Sequence, residues 1–287
     1  MENQTSKIKK NTIPIRKALK KKVNNKHLLI GIITISVFLI ISIAAPVLAP
    51  HDPLEQNLEK RLMDPSIKYP MGTDNLGRCI LSRVVYGARI SLLVAFLVVA
   101  VNSIVGTLLG LLSGYYGGFL DGIIMRITDI FLSLPGIIIA LIIAGILGPS
   151  IFNIMIALTV VGWTGYARVV RSTVLSLREK EFVKTEVAIG AKPLRIMFFH
   201  ILPNAISPVI VMMTLGMGYV ILSAAALSFI GLGAQPPVAE WGTMLNNGRP
   251  FMMTAPHLMI FPGLAIMLCV MGFNFLGNGL RDIFFRH

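Results

Sequence analysis

The side chains that could carry out chemistry in this 287-residue chain are few and widely separated. A phosphate-binding loop requires GxxxxGK[ST], and the nearest match, Gly190-Ala191-Lys192, lacks both the upstream glycine and the following hydroxyl residue. The histidines form no HExxH motif and no His/Cys pair at metal-ligand spacing, and the serines form no GxSxG turn. The sequence therefore predicts a chain that is not an enzyme, holds no metal and binds no cofactor itself.

The two cysteines, Cys79 and Cys269, are too few and too far apart for a disulfide framework or a metal cluster. We interpret both as small apolar residues. Cys79 is a candidate reactive thiol only if it is exposed, because reactivity needs access and a stabilised thiolate.

The elements that must position these residues are membrane helices. Hydrophobic residues make up 55% of the chain and charged residues 14%, whereas a soluble domain carries about 25% charged residues. A helix crosses the bilayer core with about 20 apolar residues. The runs without Asp, Glu, Lys or Arg are 28–50, 90–120, 130–167, 196–239 and 250–280. The third of these runs is interrupted at Gly148-Pro149-Ser150 and holds two helices, so six helices are predicted.

The distribution of Lys and Arg predicts the orientation. With both termini inside the cell, 19 of the 26 basic residues lie on the cytoplasmic side, as expected of membrane proteins. The net charge of +13 is therefore a topology signal, and it does not predict nucleic-acid binding. The run Lys20-Lys21-Lys22 could also contact anionic lipid headgroups.

The chain divides accordingly. Residues 1–27 are predicted to be a basic cytoplasmic tail, 28–50 an uncleaved first transmembrane helix, and 51–88 an extracellular loop. Within that loop an amphipathic helix at the outer interface is expected from Ile80 onward, beside Arg83 and Arg89. Residues 281–287 form a second cytoplasmic tail.

The loop at 234–257 is polar and proline-rich. Pro236-Pro237 and Trp241 fit an interfacial re-entrant or gate element. They fit equally well a plain surface loop whose tryptophan sits in the aromatic belt, so both interpretations stay open.

Arg126 and Asp129 are the ionisable residues nearest to membrane depth. Three positions apart on a helix, they could pair with each other, and they are candidates for a gate or an inter-subunit contact. An ion-coupled carrier needs ionisable groups inside the membrane. Because no carboxylate lies in mid-membrane, that class remains only an alternative.

The longest cytoplasmic connection, 168–203, interrupts the apolar pattern. Arg171 to Ile189 is predicted to be one helix, Gly190 its left-handed terminator, and Pro193 the first turn of the next helix. The fifth span is expected to open at Pro203. A helix–turn–helix projection of this kind either lies against the bundle or docks into a partner.

Five blocks of the chain resemble a known family, the permease subunits of ABC importers in the dipeptide/oligopeptide/nickel group. The resemblance covers about residues 70–287, with the first span and its basic tail in the expected place. The blocks are MGTDNLGR (71–78), SRVVYGARISL (82–92), LSLREKEFV (175–183), GAKPLRIMFFHILPN (190–204) and LSFIGLGAQPPVAEWGTML (227–245).

The resemblance implies an all-α ABC importer permease fold, with a transmembrane core at 89–280, in a bacterial cytoplasmic membrane. It also implies a second homologous permease, two ATPase subunits that bind ATP and magnesium, and an extracellular substrate-binding protein. The expected substrates are dipeptides or oligopeptides, with nickel, cobalt or other metal–chelator complexes as the alternative. The segment around Gly190 would be the coupling helix that docks on the ATPase. The implied docking residues are Glu181, Lys184, Glu186, Ala188, Gly190 and Ala191.

Two positions depart from the family pattern. Lys184-Thr185-Glu186 stands where the family carries Glu-Ala-Ala, so the leading acid becomes a lysine. Cys79 stands where the family usually carries aspartate. The first departure leaves open which charges pair across the ATPase interface.

Overall fold

The computed structural model describes residues 26–285. The predicted lipid contact at Lys20 to Lys22, and the basic tail up to residue 25, lie outside the described residues. The helices of the described chain are α1 Lys26–Ile43, α2 Ala45–Leu48, α3 Ile80–Tyr116, α4 Gly118–Leu132, α5 Gly136–Leu147, α6 Ile151–Arg178, α7 Glu181–Ala188, α8 Pro193–Phe229, α9 Trp241–Gly248 and α10 His257–Phe285.

Five of these helices, α1, α3, α6, α8 and α10, are long and apolar enough to cross a membrane. The pair α4–α5 passes the same test jointly but is bent by 85° at the break between its helices, so the count rises to six if the pair is one span. The predicted all-α polytopic fold is confirmed. The bend was not predicted, and the sequence had indicated a single helix there.

The outer end of α3 corrects a second expectation. The residues from Ile80 onward were predicted to lie on the membrane surface as an amphipathic helix, but they are the first turns of a continuous 37-residue helix. Ile80 and Arg83 are almost fully buried, because the outer loop and α9 pack around this end of the helix. The spacing of the apolar residues was identified correctly, but their environment was not.

On the cytoplasmic side, the predicted helix from Arg171 to Ile189 is two helices. The backbone of Lys180 is extended (φ −74°, ψ 144°) and separates α6 from α7. The predicted break at Pro203 is absent, because a π-helical turn at Ile196–Ile201 leads into the proline, and the N–H of Leu202 bonds to the carbonyl of Met197. This wider turn lets α8 continue past a residue that has no N–H to donate.

The helix pair α3 and α6 is joined along a line of glycines four residues apart. A Cβ built at Gly106 would lie 2.5 Å from the carbonyl oxygen of Trp163, and one built at Gly110 would lie 2.5 Å from that of Ala167. Small residues at this spacing let two membrane helices bring their backbones together. Because α6 leads directly into α7, this packing fixes the base of the cytoplasmic projection.

Candidate functional site

The cytoplasmic hairpin, residues 181–201, comprises α7, a tight turn and the first turns of α8. Gly190 has a φ of +79°. The N–H of Ala191 bonds to the carbonyl of Glu186, and that of Gly190 to the carbonyl of Val187. These two bonds form a Schellman motif, in which a left-handed residue ends the helix. The predicted glycine turn is therefore present, and its bonds give the hairpin a defined shape.

The root of the hairpin is packed into the bundle. Val183 of α7 and Ile196, Met197 and Ile201 of α8 are buried. They form one cluster with residues of α3 and α6, among them Leu111, Tyr166, Val170 and Val174. A displacement of the hairpin must therefore move α6 and α8 with it, because close-packed side chains transmit strain.

The hairpin carries apolar side chains, at its turn and beside its root, that nothing in the described chain covers. We call those at the turn, Val187, Ile189 and Leu194, its tip. Ile189 is 71% exposed and Phe199 is 76% exposed. Phe182, Val187 and Leu194 are also exposed. Apolar side chains left exposed in this way are typical of surfaces that contact a partner or lipid. Sequence reasoning had selected polar and small residues here and missed this apolar contribution.

The predicted docking residues lie on two sides of α7. Lys184 is exposed and forms an ion pair of 2.9 Å with Glu179, whose pKa is lowered by the hydrogen bond from Lys184. Glu186 is half-buried, with an oxygen 3.7 Å from Nε2 of His200 on α8. Glu181 and Ala188 are exposed at the two ends of α7. Lys184 is thus open to a partner, whereas Glu186 faces inward across the hairpin.

Arg126 and Asp129 do not pair with each other as expected. Nη2 of Arg168 on α6 lies 2.5 Å from Oδ1 of Asp129, and both side chains are more than half exposed. Arg126 is exposed on α4. Asp129 of α4 therefore has its partner on another helix. The proposed gate or inter-subunit role of the two residues stays a prediction.

On the opposite side of the bundle lies the outer cap, which we define as residues 51–79 with 234–241 and the start of α3. Arg83 is buried at its centre and donates to the carbonyl oxygens of Pro53 (3.1 Å), Pro237 (3.5 Å) and Val238 (3.4 Å). Its Nε lies 3.6 Å from Asp74, so one guanidinium joins three separate segments of the chain.

Trp241 begins α9 and is fully buried, and its indole N–H donates to the carbonyl of Val84 at 2.9 Å. The preceding Glu240 is also buried and caps α9 by accepting from the N–H groups of Gly242 and Thr243. The interpretation of Trp241 as an aromatic-belt residue on a surface loop is therefore wrong. A gate role for this loop stays a prediction.

Neither cysteine is accessible. Cys79 directly precedes α3, and both it and Cys269 are buried free thiols, so the condition under which Cys79 would be a reactive site is not met. Within residues 26–285, no three His, Cys, Asp or Glu side chains are grouped so as to hold a metal ion.

Taken together, a polytopic helical bundle with an exposed hairpin at one end is the architecture of an integral membrane protein. Residues 106–287 match the family described as binding-protein-dependent transport system inner membrane component, and residues 14–65 match the N-terminal transmembrane domain of oligopeptide transport permease C. The chain belongs to this family of ABC importer permeases, as its sequence blocks indicated. It is a multi-pass transport subunit of the cytoplasmic membrane.

Individual relatives are similar over most of their length. The dipeptide transport system permease protein DppC of Alkalihalophilus pseudofirmus is 50% identical over 94% of this chain and 88% of its own. DppC of Escherichia coli K12 is 47% identical over 90% of this chain and 88% of its own. The glutathione transport system permease protein GsiD of Escherichia coli is 42% identical over 86% of this chain and 82% of its own.

Proposed function

We propose that this chain is the permease of an ATP-driven importer of dipeptides or other short peptides. It forms the translocation pathway with a second, homologous permease, receives substrate from an extracellular binding protein, and is driven by two ATPase subunits that bind ATP and magnesium. The observation that carries the coupling role is the hairpin, with an exposed apolar tip on a root that is locked into the bundle.

The hairpin suits a lever because its two ends have opposite properties. Burial of apolar surface contributes about 25 cal/mol per Å², so the exposed tip can bind an apolar groove on an ATPase subunit. The buried root transfers the motion of that subunit to α6 and α8. ATP-driven closure then shifts the bundle between two states, provided that the ATPase contacts differ between them.

The coupling role is tested by Ile189→Asp in the complex reconstituted in proteoliposomes with its binding protein. A carboxylate at the tip should weaken ATPase binding by roughly 30-fold, since loss of a central interface side chain costs about 2 kcal/mol or more. The matched control is Val47→Asp, which changes an exposed apolar side chain on the outer side of the bundle. Equal retention of the ATPase by both variants would contradict the docking role.

The peptide substrate is supported by the names of the relatives, since two of those described above are dipeptide permeases. The test is uptake of a labelled dipeptide, glutathione and a nickel–chelator complex by the same proteoliposomes. Dipeptide uptake that requires both ATP and the binding protein is expected. Uptake of the nickel complex alone would replace the peptide assignment, and uptake that persists without ATP would favour an ion-coupled carrier.

A further inference from the structure

The bent pair α4–α5 exposes irregular backbone in the middle of a membrane span. We call residues 132–135 the elbow, and all four are exposed. The backbone N–H and C=O of Leu134 have no hydrogen-bond partner anywhere in residues 26–285. Hydrocarbon cannot satisfy such groups, and each one left unpaired there costs several kcal/mol, so non-helical backbone at membrane depth occurs only against protein or water.

Three helices give the depth of the elbow. The elbow is separated by the 12 residues of α5 from the turn at Gly148, which is about 18 Å at 1.5 Å per residue. A Cβ built at Gly136 would lie 3.1 Å from Val161 of α6 and 3.7 Å from the hydroxyl oxygen of Tyr219 of α8.

Val161 lies ten residues after the start of α6, and Tyr219 lies ten residues before the end of α8. Both distances are about 15 Å, and both helix ends lie on the same side of the bundle as Gly148. The N–H of Ser150 bonds to the carbonyl of Leu232 and ties these helix ends together. In a hydrocarbon core of about 30 Å, all three helices place the elbow near the middle of the membrane.

Polar groups lie on the surface around the elbow, among exposed apolar side chains such as Ile130 and Leu134. Tyr219 is 56% exposed and its hydroxyl points towards Gly136. Ser133 is exposed, and the exposed Asp129–Arg168 pair follows towards the cytoplasm. Ionisable residues in membrane segments face water-filled cavities or protein interiors. By contrast, the exposed side chains of α1 beyond its first two residues are aliphatic except for Ser36, and they include Leu29, Ile33, Val37 and Ile40, as expected of a lipid-facing surface.

We infer that the elbow, with Ser133 and Tyr219, lines a water-filled translocation pathway at mid-membrane, where the transported peptide passes. The inference rests on the proposed function for the identity of the substrate, but not for the presence of water. Water satisfies the backbone of Leu134 when the pathway is empty, and a peptide in transit offers amide groups of the same hydrogen-bonding character. The wall formed by this chain therefore carries both donors and acceptors at its deepest point.

The test is thiol labelling of Ser133→Cys in the complete complex in nanodiscs, without nucleotide and with ATP and vanadate. A charged, membrane-impermeant maleimide is the probe, and labelling is measured on the band of this chain. Maleimides react with the thiolate, which forms in water and not in hydrocarbon. The matched control is Ser36→Cys, the same substitution at an exposed, mid-helix position of α1. The parent chain gives the baseline, because its two cysteines are buried.

We expect the Ser133→Cys variant to react about tenfold faster than the Ser36→Cys variant, or more, in at least one of the two states. Labelling should also abolish uptake by the Ser133→Cys complex, whereas it should leave uptake by the Ser36→Cys complex unchanged. Leu134→Cys provides a second position on the elbow in case Ser133→Cys assembles poorly. If the thiols introduced at both elbow positions stayed as unreactive as the control thiol on α1 in both states, the inference would be overturned, since the elbow would then be covered by the second permease or by lipid.

The two proposals can fail separately. Fast labelling of the Ser133→Cys variant in a complex that takes up no peptide would support the water-filled pathway and refute the peptide substrate. Peptide uptake by a complex whose elbow thiols never react would support the peptide substrate and refute the water-filled pathway at the elbow.

Discussion

The outer cap and the cytoplasmic hairpin both contain charged residues, but they use them differently. In the cap, Arg83, Asp74 and Glu240 are buried and bonded to backbone groups. In the hairpin, the side chain of Lys184 is 60% exposed, and its partner Glu179, just before the hairpin, is 76% exposed. The same residue types thus hold the fold together on one side and are available to a partner on the other.

The apolar residues show the same contrast. Trp241 of the cap is fully buried against α3, whereas Ile189 and Phe199 of the hairpin are largely exposed. The centre of the cap has its hydrogen-bond partners within this chain, but the hairpin needs a surface that this chain does not supply. Substitutions in the cap should therefore affect the stability of the chain, and substitutions in the hairpin should affect the coupling to the ATPase.

The largest effect is expected for Arg83→Met. The substitution would leave the carbonyl oxygens of Pro53, Pro237 and Val238 without their shared donor, although Asp74 would keep its ion pair with Arg78. Each buried acceptor left without a donor costs about 1–3 kcal/mol. The purified chain should therefore give less folded protein and unfold at a markedly lower temperature in detergent, measured by fluorescence-detected size exclusion.

Arg89→Met is the matched control, because Arg89 lies on the same helix, is exposed and bonds to no other residue in the described part of the chain. It should be about as stable as the parent, since exposed side chains contribute little. If the two variants were equally stable, the view of the cap as a structure held by Arg83 would be wrong.

An intermediate effect is expected at Gly190, where φ is +79° and a Cβ would meet no atom within 4 Å. Space therefore limits neither Gly190→Val nor Gly190→Asn, and the two variants differ in how well the new residue tolerates a positive φ. Asparagine tolerates the left-handed region, whereas that region is a genuine outlier for a β-branched residue. The left-handed backbone costs an ordinary residue about 1–2 kcal/mol. The valine variant should lose substrate-stimulated ATPase activity, and the asparagine variant should keep most of it.

Both variants should unfold at nearly the same temperature as the parent, because the root of the hairpin is unchanged. Normal stimulation in the valine variant would show that the turn geometry does not matter for coupling. A collapse of stability in both would show that the hairpin is part of the folding core, contrary to the comparison with the cap.

The sequence was sufficient for features that depend on local chemistry. The turn at Gly148-Pro149-Ser150 was predicted from turn-forming residues, and Ser150 caps α6 by accepting from the N–H of Phe152. Gly190 was recognised as a helix terminator, and its two Schellman bonds confirm this. In both cases a few neighbouring residues determine the conformation.

Features that depend on packing could not be predicted in this way. The 85° bend between α4 and α5 falls in a run without charges, and Pro135 alone does not specify an angle. Asp129 has two candidate partners, Arg126 on its own helix and Arg168 on another, and only the packing of α4 against α6 decides between them. Trp241 was assigned to the membrane interface by residue type, whereas the space beside Gly87 on α3 buries it.

The smallest effect is expected for Lys184→Gln, at the position where the family carries an acid. An exposed ion pair contributes about 0.2–1 kcal/mol, and Lys184 already has a partner in Glu179 within the chain. If the apolar tip carries most of the docking energy, the variant should lower substrate-stimulated ATPase activity by less than about fivefold. The measurement is made at low salt and at high salt, with Glu179→Gln as the control.

A loss of tenfold or more at low salt that disappears at high salt, and that Glu179→Gln does not share, would show that Lys184 contacts an acid on the ATPase. The departure from the family motif would then select the partner ATPase, and the exposed charges of the hairpin would matter as much to docking as the buried charges matter to the cap.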